Sequence, residues 1–518
     1  MRFNSKVWIL LAGGLFFTLS FEKIGISYIA WIGLIPLLYS INNSSSVKSF
    51  KMGWIFGMAH FTSLVYWVVY AMYYYGGLPV LISIPLLLLL SAYLSIYIGL
   101  FCAMINRLCK KPTNFFLIPI FWTVFEYIRS LSKLSFPWEF LGYTQYKNLK
   151  LIQISDILGV YGLSALIVFI NISLFLLILY FFNIKWNNYK ITVRHLSAYN
   201  GSAIVILSVI LIYGHVQIKE IDSIIESSKK INAACIQGNI SQEDKWDSHF
   251  MIHTTKKYIN LSKQIIKQKP DLLVWPETAL PFYYEQGGFL KEYIKKNVKE
   301  FNSCLLTGCL NIEQKDNTRL YYNSSILIKP DDKNIEKYHK TQLVPYGEFV
   351  PFKNIFPFIN KLTQAAGDFS PGIEGNTLSC HDYFLGVQIC FEIIFPNLSR
   401  KMVNNGADIL INITNDAWYG TSSAPYQHFS MVVLRAVENK RSLARSANTG
   451  ISGLIDPVGR ILKKSDLFKE QIICHELPVI KIKTIYTSYG DIFAWLCIII
   501  CSVSLTINIL YSRFKAKK

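Results

Sequence analysis

Long apolar runs crowd the first part of the chain and its end, and a polar interval with shorter periodicities lies between them. Apolar runs fall at residues 7–21, 24–41, 52–75, 78–105, 115–127, 160–182, 201–213 and 491–511. Each has roughly the length that a hydrocarbon core of about 30 Å requires, the fifth being short, so the pattern predicts about eight membrane spans. The interval over 216–490 reads differently. Residues 231–237, 272–275, 304–310, 321–328, 384–389, 409–413 and 452–455 have the apolar, β-branched content of strands, while 253–267, 288–301 and 427–441 have helical periodicity. Strands interleaved with helices on this scale predict a sheet covered by helices. The expected layout is a membrane domain over 1–215 with seven spans, an external α/β domain over 216–490, and an eighth span with a basic tail over 491–518.

Composition supports the membrane reading. Hydrophobic residues make up 52% of the 518 residues and charged residues only 16%, too apolar for an ordinary soluble enzyme. The formal net charge is +19, and much of the excess sits in short segments beside apolar runs, with no interleaved basic and aromatic patch. Topology accounts for that better than nucleic acid does. Lys48 and Lys51, then Arg107, Lys110 and Lys111, then Lys185, Lys190 and Arg194, and the tail all fall in alternate loops that would face the cytoplasm. The loop holding Arg129, Lys133, Lys147 and Lys150 breaks the alternation. The polar interval then faces outward, which in a bacterium is the periplasm. Residues 7–21, preceded by Arg2 and Lys6, suit a secretory signal or a first span, with no convincing small-residue cleavage site.

Three features of the membrane part attract notice. Glu126 and Arg129 lie one helical turn apart, which fits either a functional pair at membrane depth or an interfacial ion pair. His60 reads as a packing or interfacial residue. Phe136, Trp138, Phe140 and Tyr143 would suit a segment lying in the headgroup layer.

Three stretches of the polar interval carry chemistry. In GVQICFEIIFP, Cys390 sits where a strand gives way to a helix, a junction that exposes a side chain and aims backbone N–H groups at whatever the sulfur attacks. In DLLVWPETAL, Pro276 ends a strand so that Glu277 projects from its carboxyl end, where α/β sites usually lie. In YHKTQLVPYGEFVP, Lys340 precedes a proline-stiffened loop carrying Glu348. A thiol needs a proton acceptor, and the oxyanion formed by its attack needs donors; one carboxylate, one ammonium and a backbone N–H complete such a site. Ten cysteines occur without a C-x-x-C pair, and no H-E-x-x-H is present, so neither zinc nor a thioredoxin-like motif is suggested. Whether Cys235, Cys304, Cys309, Cys380 or Cys474 pair is left open.

These residues resemble the Glu, Lys, Cys triad of the nitrilase (carbon–nitrogen hydrolase) superfamily, which implies an αββα sandwich for the external domain. Over nearly its whole length the chain resembles the bacterial apolipoprotein N-acyltransferases. The resemblance rests on the spans, QGNI at 237–240, KWD at 245–247, WPET at 275–278, LVPYGEFVP at 343–351, the cysteine segment and NDAWYG at 415–420. It implies Glu277 as base, Lys340 as oxyanion stabiliser and Cys390 as nucleophile. Glu348 would be a second essential carboxylate, with Glu392 and Trp246 supporting the pocket. Phe391 stands where the family commonly has tyrosine, which puts any role of that hydroxyl in doubt. The implied reaction moves an acyl chain from a membrane phospholipid to the cysteine, and then to the α-amino group of a diacylated apolipoprotein, in the bacterial inner membrane and without cofactor or metal. A membrane-tethered amidase is the alternative, and a transporter with an inert external domain a third reading.

Overall fold

The computed structural model describes residues 3–131, 135–241, 248–315, 318–331, 334–349 and 369–516. The chain forms two compact units, one of Met1–Val69, Pro79–Val216 and Asp491–Lys518, the other of Tyr70–Leu78 and Gln217–Gly490.

The first unit is helical. Val80–Leu108, Ser155–Phe181, Val193–Ser227 and Ile492–Ala516 include stretches long and apolar enough to cross a membrane, and Ser46–Leu64 with Trp67–Tyr74 qualifies as a pair bent by 52°. The other predicted runs form the shorter apolar helices Ser5–Thr18, Ser27–Ile41 and Leu117–Ile128, so the sequence overstates how many runs reach spanning length by themselves. The second run is short because it breaks into a 3₁₀ turn, Ser27–Trp31, and a helix restarted beside Pro36, Ile35–Ile41. Such a break leaves backbone groups that hydrocarbon cannot satisfy. Buried Asn171 answers them, donating to Ala30 O at 2.8 Å and accepting from Leu34 N at 3.0 Å. Ser46–Leu64 packs closely on Val80–Leu108 through Gly53 and Gly57, where a Cβ would come within 2.6 Å of Ile98 O and 2.8 Å of Ser95 Oγ. This is the small-residue packing that lets apolar helices approach without a hydrophobic driving force.

The aromatic loop after the fifth run is packed into the protein. Trp138, Phe140 and Tyr143 are fully buried within the unit, with Trp138 against Trp67 at 4.8 Å and Phe140 against Tyr161 at 5.3 Å. His60 packs among Phe17, Phe21 and Phe61 and bonds the Thr18 hydroxyl at 2.9 Å.

The second unit is an αββα sandwich. Its strands are β1 (Lys229–Gln237), β2 (Leu272–Val274), β3 (Leu280–Tyr283), β4 (Cys304–Lys315), β5 (Thr318–Ile328), β6 (Glu336–His339), β7 (Thr377–Cys380), β8 (Tyr383–Ile389), β9 (Ile409–Thr414), β10 (Leu443–Ala447), β11 (Gly453–Ile455), β12 (Ile461–Lys464) and β13 (Gln471–Val479). One sheet runs β13-β1-β2-β4-β5-β6 with β3 beside β4, and the other β12-β11-β10-β9-β8-β7. The central pairs are parallel, β1–β2–β4 in one sheet and β8–β9–β10 in the other, and the outer ones antiparallel. Such central strands are buried on both faces. Helices Ser248–Ile265 and Gly288–Phe301 cover the first sheet, putting Tyr258, Ile259, Ile294 and Val298 into one core with Leu273 and Leu305. Pro396–Asn404 and Ala424–Asn439 cover the second. A Cys304–Cys380 disulfide joins β4 to β7, while Cys235, Cys309 and Cys474 are free.

Candidate active site

Cys390 is the first residue after β8 and opens a 3₁₀ turn, Cys390–Ile394, before the helix that begins at Pro396. Its φ is +53°, a left-handed conformation that costs a non-glycine residue of order 1–3 kcal/mol. The surroundings over-determine that turn. Glu392, two residues on, accepts from Ile389 N at 2.6 Å with one oxygen. Its other oxygen takes Tyr338 Oη, Thr341 N, Thr341 Oγ1 and Gln342 N, at 2.6–3.1 Å. Glu392 thus ties the cysteine turn to the segment that carries Lys340. The Cys390 carbonyl accepts from His428 Nε2 at 3.2 Å. Burial, then the Arg445 guanidinium, hold the His428 pKa below its usual value. His428 Nδ1 in turn lies 3.1 Å from Asp416 Oδ1 and 3.0 Å from Arg445 Nη2.

Glu277 lies on the turn after β2, and the sequence shows why it can stand so close to β4. Trp275 N still bonds Leu306 O, Pro276 ends the ladder, and the chain crosses Gly308, where any Cβ would overlap Thr278 N. One Glu277 oxygen accepts from Asn323 Nδ2 at 2.9 Å and lies 3.5 Å from Lys340 Nζ. The other accepts from Asn415 N at 2.9 Å. Lys340 follows β6, extends its pairing through a bond from Lys340 N to Asn323 O, and is 1% exposed. Its ammonium reaches Glu348 at 2.9 Å, and Glu348 also accepts from Asn323 Nδ2 at 2.8 Å and Val344 N at 2.9 Å. Burial opposes the Lys340 charge, but Glu348, Glu277 and the cysteine together hold its pKa above the usual lysine value, so the ammonium stays charged.

The Cys390 sulfur lies within electrostatic reach of both groups. Burial and then the Glu277 carboxylate push its pKa up, against the opposing pull of Lys340, so the resting nucleophile is a thiol. Proton removal must therefore accompany attack, and a carboxylate beside the thiol is placed for it. Glu277, Lys340, Glu348 and Cys390 come together at one end of the two sheets, with Glu392 behind them. Phe391 is buried edge-on to Phe395, its ring centroid 5.3 Å away. Trp246 lies outside the described residues.

A buried layer escaped the sequence reading. Asp416 accepts from Thr414 Oγ1 at 2.9 Å and pairs with Arg445 at 2.7 Å, and Arg445 also donates to Asn412 Oδ1. Burial would raise the Asp416 pKa, but Arg445 and then His428 bring it down to about 2. Asn323, which bridges the two carboxylates, was missed as well, since a lone asparagine in a strand carries no local signal.

Residues 232–485 match the family model described as Carbon-nitrogen hydrolase, the class that the sandwich and its Cys, Glu and Lys cluster define. Residues 13–173 match the model described as Apolipoprotein N-acyltransferase N-terminal domain. Relatives named "Apolipoprotein N-acyltransferase" align along nearly their whole length: that of Geobacter metallireducens at 40% identity over 94% of this chain and 92% of its own, and that of Rickettsia prowazekii at 35% over 90% of each. Among solved structures, the carbon-nitrogen hydrolase of Helicobacter pylori G27 covers 48% of this chain and 89% of its own at 19% identity and a TM-score of 0.37. The sequence matches carry the assignment: the chain belongs to the apolipoprotein N-acyltransferase family and is an acyltransferase.

Proposed function

We propose that the enzyme acylates the α-amino group of the diacylglyceryl-cysteine at the N-terminus of apolipoproteins, with a membrane phospholipid as donor and a Cys390 thioester as intermediate. The observation that carries this reading is the buried cluster of a carboxylate, a charged ammonium and a strained cysteine, in a chain that also holds a set of apolar helices. As the Cys390 sulfur attacks the sn-1 ester carbonyl, its proton passes to Glu277. Lys340 and a backbone N–H at the start of the 3₁₀ turn stabilise the oxyanion. The ester C–O bond breaks, and the departing lysophospholipid oxygen takes the proton back from Glu277. The acceptor amine then attacks the thioester, gives its proton to Glu277, and the sulfur leaves and is reprotonated.

Residues 1–215 and 491–518 would form the membrane domain in the bacterial inner membrane, and 216–490 the periplasmic catalytic domain. The basic-loop alternation supports that orientation, as does the Cys304–Cys380 disulfide, a bond favoured outside the cytosol. The test is to incubate the purified enzyme with phospholipid alone and look by intact mass for an acyl adduct on Cys390. The adduct should persist and discharge on adding a diacylated lipopeptide with a free α-amine, but not its N-acetylated form. Rapid release of free fatty acid without acceptor would instead favour a membrane-tethered hydrolase.

A further inference from the structure

Behind the nucleophile, His428 takes no part in the acyl-transfer steps, yet it grips the cysteine turn. It lies on the helix Ala424–Asn439 and is fully buried. Its Nε2 stands 3.2 Å from the Cys390 carbonyl oxygen, and because a carbonyl oxygen only accepts, that nitrogen carries the proton. The far side of the ring is fixed as well. Nδ1 lies 3.1 Å from Asp416 Oδ1 and 3.0 Å from Arg445 Nη2, and the Tyr419 ring stands edge-on to the imidazole. Arg445 also donates to Asn412 Oδ1, while Asn412 Nδ2 donates to Gln388 O at 3.0 Å and is 3.5 Å from the Cys390 oxygen. Of these two side chains on that oxygen, His428 is the nearer.

The direction of one peptide follows from this bond. The C=O and N–H of a planar trans peptide point in opposite directions, so drawing the Cys390 oxygen to His428 turns the Phe391 N–H away from it. Local chain geometry does not secure that direction. Cys390 sits at φ +53°, where a non-glycine residue stays only if its surroundings hold it. Glu392 holds Ile389 N, on the strand side of the cysteine, and leaves the peptide after the sulfur to other anchors. The N–H that follows a nucleophile on a strand-to-helix turn is a donor that an oxyanion hole uses, and a donor serves only if it is aimed in advance.

We propose that His428 is a positioning residue for the oxyanion hole: its hydrogen bond to the Cys390 carbonyl sets the plane of the Cys390–Phe391 peptide, so that the Phe391 N–H faces the oxyanion made when the sulfur attacks. The inference rests on the Cys390 acyl-enzyme reading given above. The bland alternative is that His428 only packs the Asp416–Arg445 pair. The two ring nitrogens separate these roles, since Nε2 serves the cysteine turn and Nδ1 the charged pair.

The experiment compares full-length His428→Gln, which carries its amide at about the place of Nε2, with His428→Asn, which carries it at about the place of Nδ1. Single-turnover acylation by phosphatidylethanolamine in detergent is read by intact mass, and alkylation by iodoacetamide is read on the Cys390 peptide across pH. Alkylation is a displacement that develops no carbonyl oxyanion, so it reports the access and pKa of the thiol and not the aim of the N–H. His428→Asn should acylate slower by about tenfold or more, approaching the loss of an oxyanion donor, with the wild-type alkylation profile. His428→Gln should acylate within about threefold of the wild type, because it keeps the donor. A folded His428→Asn that acylates normally would overturn the proposal, and so would a tenfold loss in a folded His428→Gln. A fall in alkylation that matches the fall in acylation would also overturn it, since a general loosening of the turn produces that. Should one variant fail to unfold cooperatively, the other decides alone by the same limits. A wild-type protein that forms no Cys390 adduct fails the acyl-enzyme reading itself, and the inference with it.

Discussion

The two units set their buried charges among different neighbours. In the sandwich, Lys340 is 1% exposed yet meets two carboxylates, and Glu277, Glu348, Glu392 and Asp416 all accept hydrogen bonds whose donors come from distant strands and turns. In the helical unit, Arg129 and Glu126 are nearly as buried, but they answer mainly each other, one helical turn apart, with Glu126 accepting from Leu141 N and the Arg129 guanidinium lying over the Phe140 ring. Carboxylates held by several donors are preorganised: they need little rearrangement when charge develops on a substrate. The contrast is between carboxylates fixed by a web of donors and an ion pair resting among aromatic rings.

The contrast can be broken at its strongest point first. Cys390→Ala should form no acyl adduct and show no transfer above background, while thermal unfolding of the variant stays cooperative; residual transfer would remove the sulfur from the chemistry. Next, Glu277→Gln and Lys340→Met should each lower acyl transfer by about 10²-fold or more, the usual size for proton-transfer and oxyanion groups. Alkylation of Cys390 by iodoacetamide separates the two roles. The Glu277 charge raises the thiol pKa and the Lys340 charge lowers it. At fixed pH, Glu277→Gln should therefore alkylate faster although it transfers more slowly, whereas Lys340→Met should be slower in both. The same rate change for both variants would mean that neither charge acts on the sulfur.

The sandwich was legible because its central strands are short apolar runs bounded by turn residues, and because Pro276 and the cysteine turn mark where strands end. Strands 443–447 and 471–479 escaped notice: LARSA and QIICHELPV mix polar residues into strands whose partners lie far along the chain, so register and not pattern selects them. The site was legible where a residue has one chemical use, as a cysteine after a strand does. It was illegible where function depends on meeting in space, as for Asn323, His428 and Arg445, each ordinary in its own segment. In the helical unit, apolar runs located the helices but not their breaks, because the backbone groups freed near Ala30 are satisfied by Asn171, far along the chain.

Asp416 tests whether the buried layer behind Cys390 is fully paired. Asp416→Asn leaves the Arg445 guanidinium buried without its counter-charge, and breaking a buried pair in this way costs about 3–5 kcal/mol. The melting temperature should fall accordingly. The native protein should also depend on pH through this group. Its pKa is depressed from 3.8 to about 2 in the folded state, so its contribution is fully present above the unfolded value and is lost as pH falls through 2. Denaturant midpoints measured between pH 5 and 2 should decline, and the decline should be shallower in Asp416→Asn.

The smallest effect is expected next to the nucleophile itself. Phe391 fills a closed, apolar position against Phe395, and the main-chain N–H it contributes near the sulfur does not depend on its side chain. Phe391→Tyr would introduce the tyrosine that the family resemblance implies at this position, but here the new hydroxyl must find a partner inside a packed site or cost about 1–3 kcal/mol. If catalysis draws on the network of Glu277, Lys340 and Glu348 and on backbone donors, the variant should transfer acyl chains within about threefold of the native rate and melt slightly earlier. Single-turnover acylation, read by intact mass at several times, is the measurement to use, because it isolates the step at the sulfur from product release. A tenfold acceleration would show that a hydroxyl at this position stabilises the transition state, and that the bonded network around Cys390 is one donor short.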